Sequence, residues 1–543
     1  MALPCAVGAS DVTRTRHNLS ASGPGELKAG SVTDVCVFCH TPHNAQPSRA
    51  LWNQALPGTA YTLYASATLK ATLQQPTGSS RLCLSCHDGT VALGSVRAGL
   101  EHEPVAIGAL SGRRVLGTDL SDDHPISFVY DSALAAARGD VVDPSQVSAL
   151  PLDAHRQMQC TTCHDPHDAT YRKFLRVDDR YGALCMTCHR KRGWEGSTHA
   201  TSTATWSGVG EDPWPTTDYT TVAENACENC HRPHGAAGAT MLLASDQVCR
   251  ACHNPHGPAA SSVGAEVQKT SAHPVERATR PREAGAWRPG FDRQVACTDC
   301  HHPHQMPSTE RQGGTSGWIK GLGGVEISGG AVTEAREAYE VCFRCHGVQD
   351  QRTPGMIRQD NTRNVRLEFD PGNASYHPVA ALGKYPTLPG LQPGSTASGL
   401  LTCTDCHDTD DATGPGRGPR GPHGSRFAPI LKQEYQQGDV AMESPQSYAL
   451  CYSCHARSAL LSTGRFPHRS HLQGRAPASC AVCHDAHGSR QQSGLLNFML
   501  RDRAGTAVVG ATSQGRLEFR AVGDGHGECS LLCHGVEHDQ RRY

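Results

Sequence analysis

The stretch CTTCHDPH at residues 160–167, followed by LCMTCH at residues 184–189, decides how this chain of 543 residues is read. It sets two cysteines three positions apart and a histidine directly after the second. On one helical turn, positions i and i+3 share a side, so both thiols point the same way with the imidazole beside them. That arrangement suits one cofactor. The two thiols reach the two vinyl groups of a single porphyrin while the histidine meets its iron, which is the attachment signature of c-type haem. A zinc knuckle needs four ligands and has no use for a histidine after every second cysteine. A disulfide framework has none either.

Working outward, the same spacing recurs eleven times: Cys36/Cys39/His40, Cys83/Cys86/His87, Cys160/Cys163/His164, Cys185/Cys188/His189, Cys227/Cys230/His231, Cys249/Cys252/His253, Cys297/Cys300/His301, Cys342/Cys345/His346, Cys403/Cys406/His407, Cys451/Cys454/His455 and Cys480/Cys483/His484. A variant with one more residue between the thiols, Cys529/Cys533/His534, ends the series and is read as a twelfth site. The expectation is twelve covalently attached haem c groups per chain, each with its motif histidine on the proximal side of the iron.

The twelve proximal histidines leave nineteen of the 31. One set trails its motif by three residues: His43, His167, His234, His304 and His487. In the fifth unit the motif runs CTDCHDTD instead, and the His-Gly element is displaced by an insertion to His423. A second set lies upstream of each motif pair: His17, His124, His199, His273, His377, and either His471 or His468, with His471 preferred. Together these supply twelve distal ligands. His102, His155, His256, His302, His526 and His538 are set aside as surface or propionate-bonding residues, although His256 shares the trailing spacing. A trailing histidine cannot pass around its own porphyrin to the far face, so it must serve a neighbour. His167 is expected on the iron of His189. If each upstream histidine instead serves the second iron of the preceding unit, His17 and His534 remain as complementary loose ends. Head-to-tail donation of His17 to the His534 iron of the next subunit would then build an open filament, with His526 and His538 as the in-chain competitors for that iron.

The pattern repeats six times, which predicts dihaem units at 10–115, 116–195, 196–262, 263–365, 366–460 and 461–543. Residues 1–9 read as the tail of a secretion signal ending near Val7-Gly8-Ala9, which would remove Cys5. A lipid anchor at Cys5, or a free or intermolecularly paired thiol, is the alternative. Composition agrees with a cofactor-filled interior. Only 37% of the residues are hydrophobic and 5% aromatic, too few for a conventional core. Fifty cationic residues comprise eight lysines and 42 arginines, and arginine offers a planar fork to haem propionates; an Arg-rich codon bias would give the same skew. A net charge of −2 without a basic face excludes a nucleic-acid partner, and no apolar run is long enough for a transmembrane helix.

The repeated CxxCHxPH…LCxxCH unit, spanning residues 17 to 534, resembles the doubled-CxxCH family of multihaem cytochromes. The opening third, with RHNLS, CVFCHTPHNA, LWN and LCLSCHDG, is similar to outer-surface cytochromes of metal-reducing bacteria, some of which polymerise into extracellular filaments. The resemblance implies an elongated, haem-packed chain, mostly irregular, with short helices and few small β-hairpins. It also implies closely stacked bis-histidine haems that carry electrons, secretion to the extracellular space or outer surface with the periplasm as alternative, and other redox proteins or mineral acceptors as partners. The twelve-haem count and the expanded final motif depart from the best-known filament subunits. A multihaem reductase with one open iron is the competing function, although no CxxCK motif is present. Helices are expected to end on His346 and His455, and strands at 365–369 and 516–522. Linkers are expected at Gly313 to Gly330 and Pro386 to Gly399.

Overall fold

The computed structural model describes residues 11–43, 45, 50–97, 107–237, 247–260, 262–275, 295–306, 311–312, 315–347, 356–362, 364–385, 388, 390–395, 399–411, 419–462, 466–523 and 526–543. The presumed signal remnant at 1–9, with Cys5, and the set-aside His102 lie outside these residues. Regular structure is sparse and local. Among the described residues the longest helix, Gly78–His87, has ten residues and the next, Ala338–His346, has nine. Both end on a motif histidine. The second begins where the buried Glu340 side chain accepts from the backbone N–H groups of Arg336 and Glu337, so its first turn is capped from within. A third helix, Ser132–Arg138, is capped by the Asp131 carboxylate and stopped by Gly139 at φ 72°, a left-handed position that glycine takes at little cost.

Strands are mostly two residues long and pair across large sequence distances. Ser271–Ala272 pairs with Gly424–Ser425, and Ser375–Tyr376 with Gly488–Ser489. Both glycines are required by close approach. A Cβ at Gly424 would meet the Glu266 carbonyl oxygen at 1.8 Å, and one at Gly488 the Glu368 carbonyl oxygen at 2.0 Å. The one sizeable sheet among the described residues is C-terminal, where His526–Cys533 runs between Glu518–Gly523 and Val536–Arg542, with Val509–Gly510 also pairing to it.

Two expectations fail here. Residues 365–369 are not a strand: Val365–Glu368 is a helical turn, because Asn364 accepts the Arg366 N–H as its cap. The span from Gly313 to Gly330 is not a linker throughout, since Ile319 and Leu322 are fully buried there. The helix expected up to His455 is confined to Ala449–Tyr452.

The chain divides into two compact bodies, one running to Cys252 and the other from Ala259 onward, with a brief exchange near 253–258. Within each, apolar side chains gather in small separate clusters, where a domain of this size ordinarily has one contiguous core. One cluster holds Val37, Phe38 and Leu93, another Phe128, Tyr130 and Met158, and the largest, with nine buried side chains, runs from Ala478 through Met499 to Leu531. Each such side chain contributes roughly 1.5–3 kcal/mol of burial. Motif cysteines lie in or against these clusters: Cys529 is in the largest, Cys188 is with Phe128, and Cys39 and Cys86 pack beside Val37 and Phe38.

Candidate haem centres

Eight motifs share one local device. The backbone N–H of the motif histidine donates to the carbonyl of the first cysteine, as in His40 to Cys36 at 2.8 Å, His164 to Cys160 at 3.0 Å and His484 to Cys480 at 2.9 Å. This single α-type turn holds both thiols and the imidazole on one side. Opposite the motif rings stand other histidines at a recurring separation. Ring centroids lie 6.0 Å apart for His40 and His167, 6.3 Å for His87 and His17, 6.3 Å for His164 and His234, and 6.3 Å for His189 and His124. In the second body the values are 5.9 Å for His301 and His423, 6.3 Å for His346 and His273, 6.2 Å for His407 and His487, 6.5 Å for His455 and His377, and 6.5 Å for His484 and His468. Two metal–imidazole bonds of about 2.0 Å plus the half-width of each ring add to roughly 6 Å. An iron between two Nε2 atoms fits this spacing, whereas direct stacking of the rings does not.

At many of these rings the other nitrogen is tied down, which leaves Nε2 to face the gap, whereas Nδ1 of His301 and His423 is buried without a hydrogen-bond partner. Nδ1 of His40, His87, His164, His407 and His484 donates to the carbonyl oxygens of Ala50, Arg114, Lys173, Pro429 and Gly494 respectively, at 2.5–3.0 Å. Two distal rings have a carboxylate instead: His234 bonds Asp123 at 2.9 Å, and His487 bonds Glu368 at 2.7 Å. Burial pushes His189, His301, His407, His455 and His484 down to about 4, so each imidazole is neutral near pH 7 with a lone pair to offer. Burial acts in the same direction on His487, but the hydrogen bond and charge of Glu368 outweigh it and hold that ring at about 9.

The doubled CXXCH motif family matches at residues 154–193 and 220–255, the second and third repeats. The curated relatives are the C-type polyheme cytochromes OmcB of Geobacter sulfurreducens, from strains DL-1/KN400 and ATCC 51573/DSM 12127/PCA. Each is 24% identical over 371 residues, covering 62% of this chain and 46% of the relative. The chain thus spans less than half the length of the relatives it matches. It is a multihaem c-type cytochrome.

Which histidine meets which motif in this cytochrome differs from the sequence-based expectation. His167 does avoid its own motif, but it faces His40, not His189; His189 is taken by His124. The general arrangement is that an upstream histidine faces the second motif of its own unit, and a trailing histidine faces the first motif of the unit before. The physical link is a backbone one. His17 and His273 donate Nδ1–H to the carbonyls of Pro166 and Pro422, the residues just before trailing His167 and His423, and His377 does the same to Ala486 before His487. The two sets also differ in ring orientation. Pairs made by trailing histidines lie within 17–35° of parallel, while those made by upstream histidines cross at 62–80°.

The third unit departs from the others in how its two motif histidines, His231 and His253, are placed. Both were expected on the proximal side of an iron within one unit at 196–262, and both are half-buried. His231 keeps the motif turn, its N–H donating to the Cys227 carbonyl at 2.9 Å, and belongs to the first compact body. His253 belongs with Asn254 and Pro255 to the second body, so the division of the chain falls inside the predicted unit, directly after Cys252. The reason is local backbone bonding: the His253 carbonyl accepts the N–H groups of Val263 and Gly264 at 3.2 and 3.4 Å, which ties this histidine to the segment that follows it. Its charge accordingly reaches His301, the next motif histidine of that body.

The remaining expected ligands are placed as follows. His17 is engaged within its own chain, opposite His87, so it is not a loose end for another subunit. His43 is exposed and faces no histidine ring among the described residues, because trailing histidines face the repeat before their own and His43 belongs to the first. His468 and His471 are both used, not one or the other: His468 faces His484, and His471 faces the set-aside His538 at 6.4 Å. His199 sits on the one-turn helix Thr198–Thr201, and His304 packs against His302 at 5.7 Å.

The twelfth motif is built differently. Cys529 and Cys533 lie on a strand, and Cys533 is followed by the two-residue turn His534-Gly535 at φ 49° and 76°. Consecutive left-handed residues make the type I′ turn that hairpins favour, and histidine is among the residues that tolerate that region. Nε2 of His534, the atom an iron needs, bonds Asp439 Oδ1 at 2.7 Å. Sequence reasoning admits His538 only as an in-chain competitor, with His526, for the iron of this site, because it follows no CxxCH and belongs to no repeat. The strand-like alternation of RLEFRAV and the residues after it was the available signal.

Proposed function

We propose that this cytochrome conducts electrons along twelve haems, held by paired histidines and arranged in the order of their motifs. The observation that carries this reading is the alternation of thiol neighbours. Within a unit the second cysteines of the two motifs lie close enough to feel each other's charge: Cys39 and Cys86, Cys163 and Cys188, Cys230 and Cys252, Cys300 and Cys345, Cys406 and Cys454. Between units the first cysteines touch instead, through thiol hydrogen bonds of Cys83 with Cys160, Cys185 with Cys227 and Cys342 with Cys403. Cys451 neighbours Cys480, and Cys483 neighbours both Cys529 and Cys533. Each attachment edge therefore abuts the next within each body, and an electron on one site has an adjacent site to occupy.

The paired rings disfavour the reductase reading, since an enzyme of that kind keeps one iron open to substrate. Thioether attachment takes place on the outer side of the cytoplasmic membrane, so the carrier is assigned outside the cytoplasm, at the outer cell surface or beyond, with the periplasm as alternative. Its partners are other redox proteins or mineral acceptors. The six dihaem units are retained, with His231 and His253 as the proximal ligands of the third, and the trailing histidine that a unit lends to its predecessor joins neighbours. A homopolymer would need a contact other than His17, whose ring is already engaged within the chain. Intact mass of the secreted holoprotein should correspond to twelve haems, low-temperature EPR should be low-spin throughout, and protease shaving of cells should remove the protein. A wild-type high-spin ferric signal would favour the reductase.

A further inference from the structure

A carboxylate taken out of water stays ionised only where donors converge on it. Glu443, whose side chain is fully buried, receives four hydrogen bonds, which fills a carboxylate's accepting capacity. Oε1 accepts from the Tyr452 hydroxyl at 2.9 Å and from Arg457 Nε at 2.7 Å. Oε2 accepts from Arg457 Nη2 at 2.8 Å and from Gln473 Nε2 at 2.6 Å. The two Arg457 bonds make a bidentate fork, a strong and directional arrangement. They hold the Glu443 carboxyl below its ordinary value although burial pushes the other way.

The donors come from three places at the junction of the fifth and sixth repeats. Tyr452 lies between the thiols of the tenth motif, on the helical turn Ala449–Tyr452, and its ring packs 6.3 Å from that of the fully buried Tyr448. Arg457 opens the next turn, Arg457–Leu460, two residues after the motif histidine His455. Gln473 closes the helix His468–Leu472, whose His468 faces His484 of the eleventh motif at 6.5 Å. Two further bonds seat that helix: the Glu443 N–H donates to the Leu472 carbonyl at 3.4 Å, and Arg469 Nε donates to the Leu461 carbonyl at 3.0 Å. A five-residue helix is too short to hold itself, so its outside bonds decide where His468 stands.

We infer that Glu443 is a positioning residue for two haems at once: it fixes the attachment turn of the tenth motif and the helix that sets His468 opposite His484. The inference rests on the paired-ring reading at His484. Glu443 belongs to no haem motif, and its role comes only from where the two repeats meet.

The test uses full-length holoprotein and the variants Glu443→Gln, Gln473→Ala and Tyr452→Phe, each confirmed by intact mass to carry the wild-type number of haems. Carbon monoxide added to the dithionite-reduced protein reports an iron whose distal ring has let go. Wild type should bind none. Glu443→Gln and Gln473→Ala should bind one or two per chain, because the same helix also carries His471. Tyr452→Phe should bind none, since its hydroxyl braces the attachment turn alone. It should instead shift one component of a spectroelectrochemical titration by a two- to tenfold change in relative affinity for the two oxidation states, roughly 20–60 mV. If Glu443→Gln yields no holoprotein, Gln473→Ala decides the matter, because it removes one bond of an exposed side chain. No uptake in the Gln473 and Glu443 variants, uptake by more than two haems, or an unshifted titration in Tyr452→Phe would overturn the inference. Uptake by wild type would remove the paired-ring reading and this inference together, whereas a closed wild type with closed variants removes the inference alone.

Discussion

The third motif, Cys160 to His164, and the twelfth, Cys529 to His534, present similar residues on opposite kinds of backbone. The third is one turn of helix whose His164 N–H closes on the Cys160 carbonyl at 3.0 Å, so thiols and imidazole converge by local geometry alone. The twelfth is the middle strand of a sheet, and its histidine points away to Asp439. Yet the spacing between facing histidine rings is the same in both regions, 6.3 Å for His164 with His234 and 6.4 Å for His471 with His538. What the two regions share is the gap between rings. A helical turn in one region and a strand in the other deliver rings at the same spacing.

The largest effect that would sharpen this comparison is expected where two repeats are sewn together. Gly488→Ala drives a Cβ onto the Glu368 carbonyl, and the His377 N–H donates to the neighbouring His487 carbonyl at 3.1 Å. Both pairs should shift at once, with a stability loss of about 3 kcal/mol, the upper end for overpacking. EPR should report two high-spin haems, and one or none would mean that the two ligands move independently. His167→Ala should produce a single open iron at His40 and leave those at His164 and His189 low-spin. A cryo-EM map of the variant decides it, and an open position at His189 would restore the pairing read from sequence.

Smaller effects separate the sites that already share a ring geometry. A carboxylate on the distal Nδ1–H makes the ring a stronger donor and favours ferric iron. Glu368→Gln and Asp123→Asn should therefore raise the potentials at the His407 and His164 sites. A two- to tenfold change in relative affinity for the two oxidation states corresponds to roughly 20–60 mV for one electron. Spectroelectrochemical titration that shows no upward shift would deny these carboxylates a tuning role. The smallest effect belongs to the hairpin turn. Gly535 has φ 76° with open space around it, so Gly535→Ala should cost about 1 kcal/mol of left-handed strain in chemical denaturation, and the haem spectrum should not change. A spectral change would show that the turn and the haem environment are coupled.

The attachment sites were legible because everything they need lies within five residues. A thiol pair and an imidazole on one helical turn are positioned by backbone hydrogen bonds that the motif itself makes, so Cys160, Cys163 and His164 announce their chemistry wherever the chain goes. The low apolar content likewise foretold small scattered clusters and short helices. The segment at 365–369 was misread because β-branched and aromatic residues favour a strand, while the Asn364 cap and the demand for Glu368 beside His487 favour a turn. The parting of His231 from His253 was equally hidden, because the repeat period counts residues and is blind to the bonds that Val263 and Gly264 make back to His253.

What only the tertiary structure decided is which distal histidine faces which motif. His17 and Pro166 are 149 residues apart, as are His273 and Pro422, and nothing in their local sequence specifies that meeting. Trailing and upstream histidines look equally suited to either iron of a unit when only spacing is considered. The choice is made by where one repeat lays its backbone against the next, at glycines 424 and 488 that allow contact no side chain could. At the end of the chain strand register, a property of the folded hairpin, sets His538 opposite Leu531, while the CxxCH rule describes a helical turn that is not formed there.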